Sequence, residues 1–267
     1  DFPSVGATEN LMAAACMATG ATVIRNAARE PEIVDQQNFL ARLGAQIRGA
    51  GTDTIRITGM PELGSTAYPV MADRIQAGTY MIAAAATRDD VTVTDVVPEH
   101  LEAVGAKLAE AGAAVIASED SVRVAMGDRP EPICIKSMPY PGFPTDLQAP
   151  MAALLTVGRG TSVVTENIFN NRFRYVDELN RMGAQISVDG RTAIIRGVSE
   201  LTGARVSAPD LRAGAALVVA GLAARGETVI DGVEHITRGY DSLAERMASC
   251  GALISHTVDA PEAASSD

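Results

Sequence analysis

Apolar and polar positions follow three recurring patterns along this chain. Residues 8–17, 73–87, 146–157 and 210–223 are rich in Ala, Val, Leu and Met with few polar interruptions, and a helix that is apolar all round has to be buried. Each block is followed by a short, largely β-branched run, at 21–24, 91–94, 161–164 and 227–230, which reads as a strand. A segment charged on one face then leads to the sequence apolar–Gly–Ala–x–aliphatic. It occurs as Leu43-Gly44-Ala45-Gln46-Ile47, Ala111-Gly112-Ala113-Ala114-Val115, Met182-Gly183-Ala184-Gln185-Ile186 and Cys250-Gly251-Ala252-Leu253-Ile254. A glycine in that place ends a helix in the left-handed conformation, and the aliphatic residue after it opens a strand. Pro31 and Pro98 stand at first-turn positions of the first two amphipathic helices.

The marker glycines lie 68, 71 and 68 residues apart, longer than a short solenoid period, so each copy is a multi-element unit. Paired strands close the first three copies: Ile47 with 54–57, 114–116 with 121–124, and 185–188 with 192–195, the last pair joined by an Asp189-Gly190 turn. The unit reads β-α-β-α-β-β, an α/β arrangement with apolar helices buried under sheets and amphipathic helices outside. The first copy takes residues 1–65 and lacks its opening strand, and three further copies fill 66–258, with Pro61-Glu62-Leu63-Gly64-Ser65 as the crossing. Residues 259–267, small and poor in large apolar side chains, are expected to be a disordered tail.

Candidate chemistry gathers where the apolar helices start. The stretch Tyr140-Pro141-Gly142-Phe143-Pro144-Thr145-Asp146-Leu147-Gln148-Ala149 cannot run on as regular structure, so a turn delivers Thr145 or Asp146 to a helix start. An acid there is either a simple N-cap or a working carboxylate held at the positive end of a helix dipole. The other starts carry Ser4-Val5-Gly6-Ala7-Thr8-Glu9, Asp73-Arg74 and Asp210-Leu211-Arg212. In a pseudo-symmetric domain equivalent helices aim these ends at one face, which makes an anion site, with Arg74, Arg212 and Arg238 as its cations. Taken singly, the Asp–Arg pairs also read as surface ion pairs. The polar segment 166–173 carries Ile168 and Phe169 and is either a ligand-facing loop or a hydrophobic staple.

Composition narrows the ligand. The 267 residues are 47% hydrophobic, enough for a sizeable core, and the net charge of −11 argues against general nucleic-acid binding. An anionic ligand therefore needs the local arginine cluster. Cys16, Cys134 and Cys250 are far apart in apolar surroundings and read as core fillers, with no disulfide or zinc spacing, and His100, His235 and His256 show no metal spacing. No metal or cofactor is expected. No apolar run approaches the length of a membrane span, and a reducing cytoplasm fits the cysteine usage. The chain opens at Asp1, one turn before an apolar helix, and is expected to be the later part of a longer protein.

The segments PSVGATENLM (3–12), NAAREPEIVD (26–35), ADRIQAGTYM (72–81), YPGFPTDLQA (140–149), TENIFNNRF (165–173), APDLRAGAAL (208–217) and HITRGY (235–240) together resemble the UDP-N-acetylglucosamine 1-carboxyvinyltransferases, enolpyruvyl transferases of peptidoglycan synthesis. The resemblance covers nearly the whole chain except the tail. It implies an inside-out α/β barrel fold of two domains, each of three β-α-β-α-β-β units, with one unit of the first domain and three of the second present here. It implies transfer of enolpyruvyl from phosphoenolpyruvate to the 3-hydroxyl of UDP-N-acetylglucosamine, with release of phosphate and through a tetrahedral ketal. By motif match Asp146 is the base and binds the sugar hydroxyl, Arg212 and Arg238 hold phosphoenolpyruvate, and Ser4, Val5 and Gly6 contact the uridine diphosphate. Ile168 gives a backbone contact to the sugar, while Glu30, Asp73 and Arg172 take supporting or closure roles. The family's mobile loop, with its Cys or Asp acid, matches nothing here, so none of the three cysteines is expected to be catalytic. The chain is expected to hold half a site and to be inactive without the missing N-terminal half. Two rival expectations are the sister transferase that acts on shikimate 3-phosphate, and a non-catalytic sugar-nucleotide-binding remnant.

Overall fold

A computed structural model describes residues 2–257, and the tail expected at 259–267 lies outside the described residues. The first stretch forms α1 (Val5–Ala15), β1 (Ala21–Arg25), α2 (Pro31–Arg42), β2 (Gln46–Arg48) and β3 (Thr54–Thr58), with an antiparallel sheet ordered β1-β3-β2. The second gives α3 (Arg74–Thr87), β4 (Asp90–Thr94), a 3₁₀ turn at Pro98–Leu101, α4 (Glu102–Glu110), β5 (Ala114–Ala117) and β6 (Ser121–Ala125), with sheet order β4-β6-β5. The third gives β7 (Cys134–Lys136), a 3₁₀ turn at Thr145–Leu147, α5 (Gln148–Thr156), β8 (Thr161–Thr165), α6 (Val176–Arg181), β9 (Gln185–Asp189) and β10 (Thr192–Arg196). Its sheet runs β7-β8-β10-β9, with β7 parallel to β8. The last gives β11 (Arg205–Ser207), α7 (Leu211–Ala223), β12 (Val229–Asp231), α8 (Glu234–Thr237) and α9 (Leu243–Ser249), with β11 parallel to β12.

The apolar helices take the centre. Every residue of α5 is buried, as are residues 81–86 of α3 and 213–220 of α7, and the three helices pack on one another. The strands around them alternate: in β6 Val122 and Val124 face the helices while Arg123 points out to Asp90. One apolar cluster draws on Met12, Ile33, Ile55 and Ile57, and a second, larger one on residues from Ile75 to Met247. The four marker glycines all follow helices at positive φ, from +94° to +102°. A Cβ disfavours that conformation, so the repeat spacing is a record of where the chain must turn. Register Asp189↔Thr192 leaves Gly190 and Arg191 as a two-residue hairpin loop.

Four expectations need correction. Helix α1 is not buried all round: only Thr8, Met12 and Ala15 are, and Leu11 is 53% exposed, because α1 packs on α2, β1 and β3 rather than inside a helix trio. No strand follows Gly251 among the described residues, and none opens the second copy before α3; aliphatic residues make a strand only where a neighbour offers a ladder. Cys134 and Cys250 are exposed while Cys16 is buried. Cys134 alternates outward on β7 where Ile135 points in, and Cys250 follows the last turn of α9. Finally, neither Thr145 nor Asp146 caps α5 with its side chain, because both side chains are taken by stronger partners.

Candidate active site

The starts of the four apolar helices do meet. A cleft of about 990 Å³ is lined by Ser4, Val5 and Gly6 at α1, Asp73, Arg74 and Ile75 at α3, Thr145 and Asp146 before α5, and Arg212 in the first turn of α7. Helix starts carry backbone N–H groups without intrahelical partners and the positive ends of the dipoles, so the cleft floor favours negative charge. Asp73 and Asp210 are the caps of α3 and α7. Asp73 accepts from the N–H groups of Ile75 and Gln76, and Asp210 from those of Arg212 and Ala213. Ser4 caps α1, its hydroxyl accepting from Ala7 N–H at 3.3 Å. The Asp–Arg pairs in sequence are therefore not ion pairs with each other: the acid caps and the arginine reaches elsewhere.

Asp146 is the centre of the charged floor. Arg172 donates to its Oδ1 and Arg212 Nη2 to its Oδ2 at 2.8 Å. The side chains of Arg172 and Arg212 are each 19% exposed and that of Asp146 32%. Burial works to raise the Asp146 pKa, but the charges of Arg212 and Arg172 and their hydrogen bonds outweigh it and hold the carboxyl below the usual carboxylate range. Burial also opposes the charge on Arg212, which Asp146 restores with a raised pKa. Arg212 is steadied from behind by Tyr240, whose hydroxyl lies 3.5 Å from its Nη1 and 2.9 Å from the Thr79 hydroxyl.

This arrangement has a stability consequence. Since Asp146 titrates lower folded than unfolded, its ion pairs contribute above the unfolded value of about 3.9 and are lost as pH falls through the folded value. The gap in melting temperature between the parent and Asp146→Asn is therefore expected to be largest near neutrality and to shrink in acid. Thermal scans across pH check this; a gap that widens below the carboxylate range contradicts it.

The opposite wall is built by residues from the first stretch. Arg74 bridges to Glu32 through both oxygens, at 2.9 and 3.3 Å, with its guanidinium 5.7 Å from the Tyr140 ring centroid. Glu30 accepts from Tyr140 N–H at 3.5 Å, and its other oxygen is buried without a partner. Ile168 and Phe169 line the rim, Phe169 under the Arg172 guanidinium at 4.8 Å, while Glu166 is buried and Phe173 packs on the core at either end of the segment.

The sequence model of EPSP synthase (3-phosphoshikimate 1-carboxyvinyltransferase) matches residues 1–247. The chain belongs to this family of enolpyruvyl transferases. A UDP-N-acetylglucosamine 1-carboxyvinyltransferase of Carboxydothermus hydrogenoformans is 57% identical over 95% of the chain and 60% of its own length, and one of Clostridium botulinum 56% identical over 95% and 61%. Among solved structures, the enolpyruvyl transferase NikO from Streptomyces tendae superposes with a TM-score of 0.84 at 27% identity, over 94% of this chain and 60% of its own. An EPSP synthase of Acinetobacter baumannii, at 22% identity and a TM-score of 0.70, shares the fold. The architecture is thus the inside-out α/β fold of enolpyruvyl transferases, with apolar helices within and sheets around them. The chain spans about 60% of the length of these relatives.

Within this chain, Ser4, Val5, Gly6, Glu30, Asp73, Asp146, Ile168 and Arg212 line one cleft, and Arg172 joins them through Asp146. Arg238 does not line it. It is exposed at the end of α8, its side chain in no hydrogen bond or ion pair among the described residues, two positions before Tyr240. Sequence reasoning missed Thr145 as a hydroxyl donor, Glu166, Glu32, Tyr240 and Thr79. Glu166 and Tyr240 lie in the quoted segments TENIFNNRF and HITRGY, but nothing local to either marks a buried polar partner.

Proposed function

We propose that this chain contributes the acceptor-activating side of an enolpyruvyl transferase that moves the enolpyruvyl group of phosphoenolpyruvate onto the 3-hydroxyl of UDP-N-acetylglucosamine, an early step of peptidoglycan synthesis in the cytoplasm. The observation that carries this reading is Asp146, a carboxylate fixed between two guanidiniums where the amino ends of four apolar helices converge. Asp146 takes the proton of the sugar 3-hydroxyl as the hydroxyl oxygen attacks the central carbon of phosphoenolpyruvate, a general acid that is not among the assigned residues adds a proton to the terminal carbon, and elimination removes one proton from the resulting methyl group as phosphate leaves. Arg212 holds one of the two anionic groups, to which planar guanidinium is suited, and Arg238, which lies outside the cleft lining at the end of α8, reaches the other once the substrate is bound. The start of α1 at Ser4, Val5 and Gly6 receives the diphosphate, and the backbone at Ile168 the sugar. Glu30, Asp73 and Arg172 support the closed cleft. No metal or cofactor enters this scheme.

Two binding titrations test the substrate. The chain is expected to bind UDP-N-acetylglucosamine and not shikimate 3-phosphate; the reverse preference overturns the reading in favour of the shikimate enzyme. The relatives between 53% and 57% identical are named for the former. Phosphate release is expected once the chain is mixed with a separately expressed polypeptide covering the rest of its relatives' length, and not from the chain alone. No release from the mixture favours a sugar-nucleotide-binding remnant. In the active form Arg238→Ala is expected to raise KM for phosphoenolpyruvate about tenfold, one charged hydrogen bond's worth; an unchanged KM removes Arg238 from the site.

A further inference from the structure

We propose that Glu166 is a positioning residue for this site, a buried carboxylate that fixes the loop at the cleft rim and, through the Thr145 hydroxyl, the guanidinium that lies on Asp146. Glu166 follows β8 and is 1% exposed. A carboxylate is an acceptor only, and burying one is tolerated where donors fill its lone pairs. Three donors do so here. Oε1 accepts from the N–H groups of Ile168 at 2.8 Å and Phe169 at 3.0 Å, and Oε2 accepts from Thr145 Oγ1 at 2.8 Å.

The polarity of this network is what makes Glu166 specific. Thr145 has one hydroxyl proton, and Glu166 takes it, so the threonine oxygen is left to accept from Arg172 Nη1 at 2.9 Å. Arg172 then reaches Asp146 with its other terminal nitrogen. The second branch arrives by the loop: Phe169, whose N–H is held by Glu166, places its ring 4.8 Å from the Arg172 guanidinium carbon. Both branches from one carboxylate therefore end on the same arginine. Glutamine is the same size but cannot serve both. With its oxygen toward the loop, its amide donates to Thr145, whose oxygen must then accept from both the amide and Arg172 and whose proton loses its carboxylate acceptor. With its oxygen toward Thr145, the amide faces two backbone donors.

The inference rests on the proposed chemistry only for its effect on turnover, and its test needs no turnover. In this chain, amide exchange of Ile168 and Phe169 and the carbon-detected titration of the Asp146 carboxyl are followed in Glu166→Gln, Thr145→Val and Thr145→Ser. Glu166→Gln is expected to speed exchange of both amides about tenfold, the loss of a charge-assisted hydrogen bond, and to move the Asp146 midpoint upward. Thr145→Val is expected to move the midpoint upward while leaving exchange unchanged, and Thr145→Ser to restore the parent midpoint. Unchanged exchange in Glu166→Gln, or an unchanged midpoint in Thr145→Val, overturns the proposal. Should Glu166→Gln fail to fold, the Val and Ser variants decide it. Failure of phosphate release elsewhere leaves these readouts standing.

Discussion

Asp146→Asn is expected to lower turnover about 10³-fold in an active transferase containing this chain, within the range that a positioned general base contributes. The amide keeps the shape of the side chain and can still accept from one guanidinium, so the fold should survive, but it cannot take a proton from a sugar hydroxyl. The effect falls on kcat rather than on sugar-nucleotide affinity, because α1 and the loop at Ile168 are untouched. The structure adds a condition. Both oxygens of Asp146 are engaged by arginines, which stabilises the anion and weakens it as a base. For the carboxylate to work, one guanidinium has to transfer to the anionic substrate, and phosphoenolpyruvate brings two groups that attract it. The parent should therefore show a base whose apparent pKa rises once phosphoenolpyruvate is bound, and the variant should lack that limb of the pH profile. Phosphate release measured against pH in both proteins checks this. A near-normal rate in Asp146→Asn would falsify the assignment of Asp146 as base.

What could be read from the sequence was whatever local geometry or repetition encodes. The marker glycines, the Gly190 hairpin loop and the starting points of α3 and α7 are local, and the folded chain has them where the pattern puts them; that Asp73 and Asp210 cap those helices was not read from the pattern. Convergence of Ser4, Asp73, Asp146 and Arg212 on one cleft followed from repetition, since equivalent helices in repeated units present equivalent ends. The connections within the site were not legible, because they link residues far apart in sequence. Arg212 and Asp146 are separated by 66 positions, Arg74 and Glu32 by 42, Thr145 and Glu166 by 21. Asp146 fits an N-cap by every local rule, and only the two arginines brought from α7 and the rim loop show why it is not one. The exposed Cys134 makes the same point on a strand: apolar neighbours in sequence say nothing about which face a side chain takes until register is set.

Arg212→Ala is the second large effect expected, about a 10²-fold loss of kcat/KM for phosphoenolpyruvate. Arg212 is held in the first turn of α7 by its backbone bond to Asp210, and its side chain is aimed by Tyr240, which Thr79 in turn fixes. Such preorganisation means little rotamer entropy is lost when an anion binds, so its removal should cost near the upper end for a charged hydrogen bond, about 3 kcal/mol. Two further consequences separate this residue from a general contributor to fold. Asp146 would keep only Arg172, so its titration should move upward, and Tyr240 would lose its charged neighbour while keeping Thr79. Arg212→Lys retains the charge but not the fork that can hold a carboxylate and Asp146 together, so it should recover only part of the loss. Steady-state kinetics with phosphoenolpyruvate varied, alongside thermal scans, distinguishes the outcomes. A fall in melting temperature with unchanged kcat/KM would make Arg212 a structural partner of Asp146 and leave the anion to other cations.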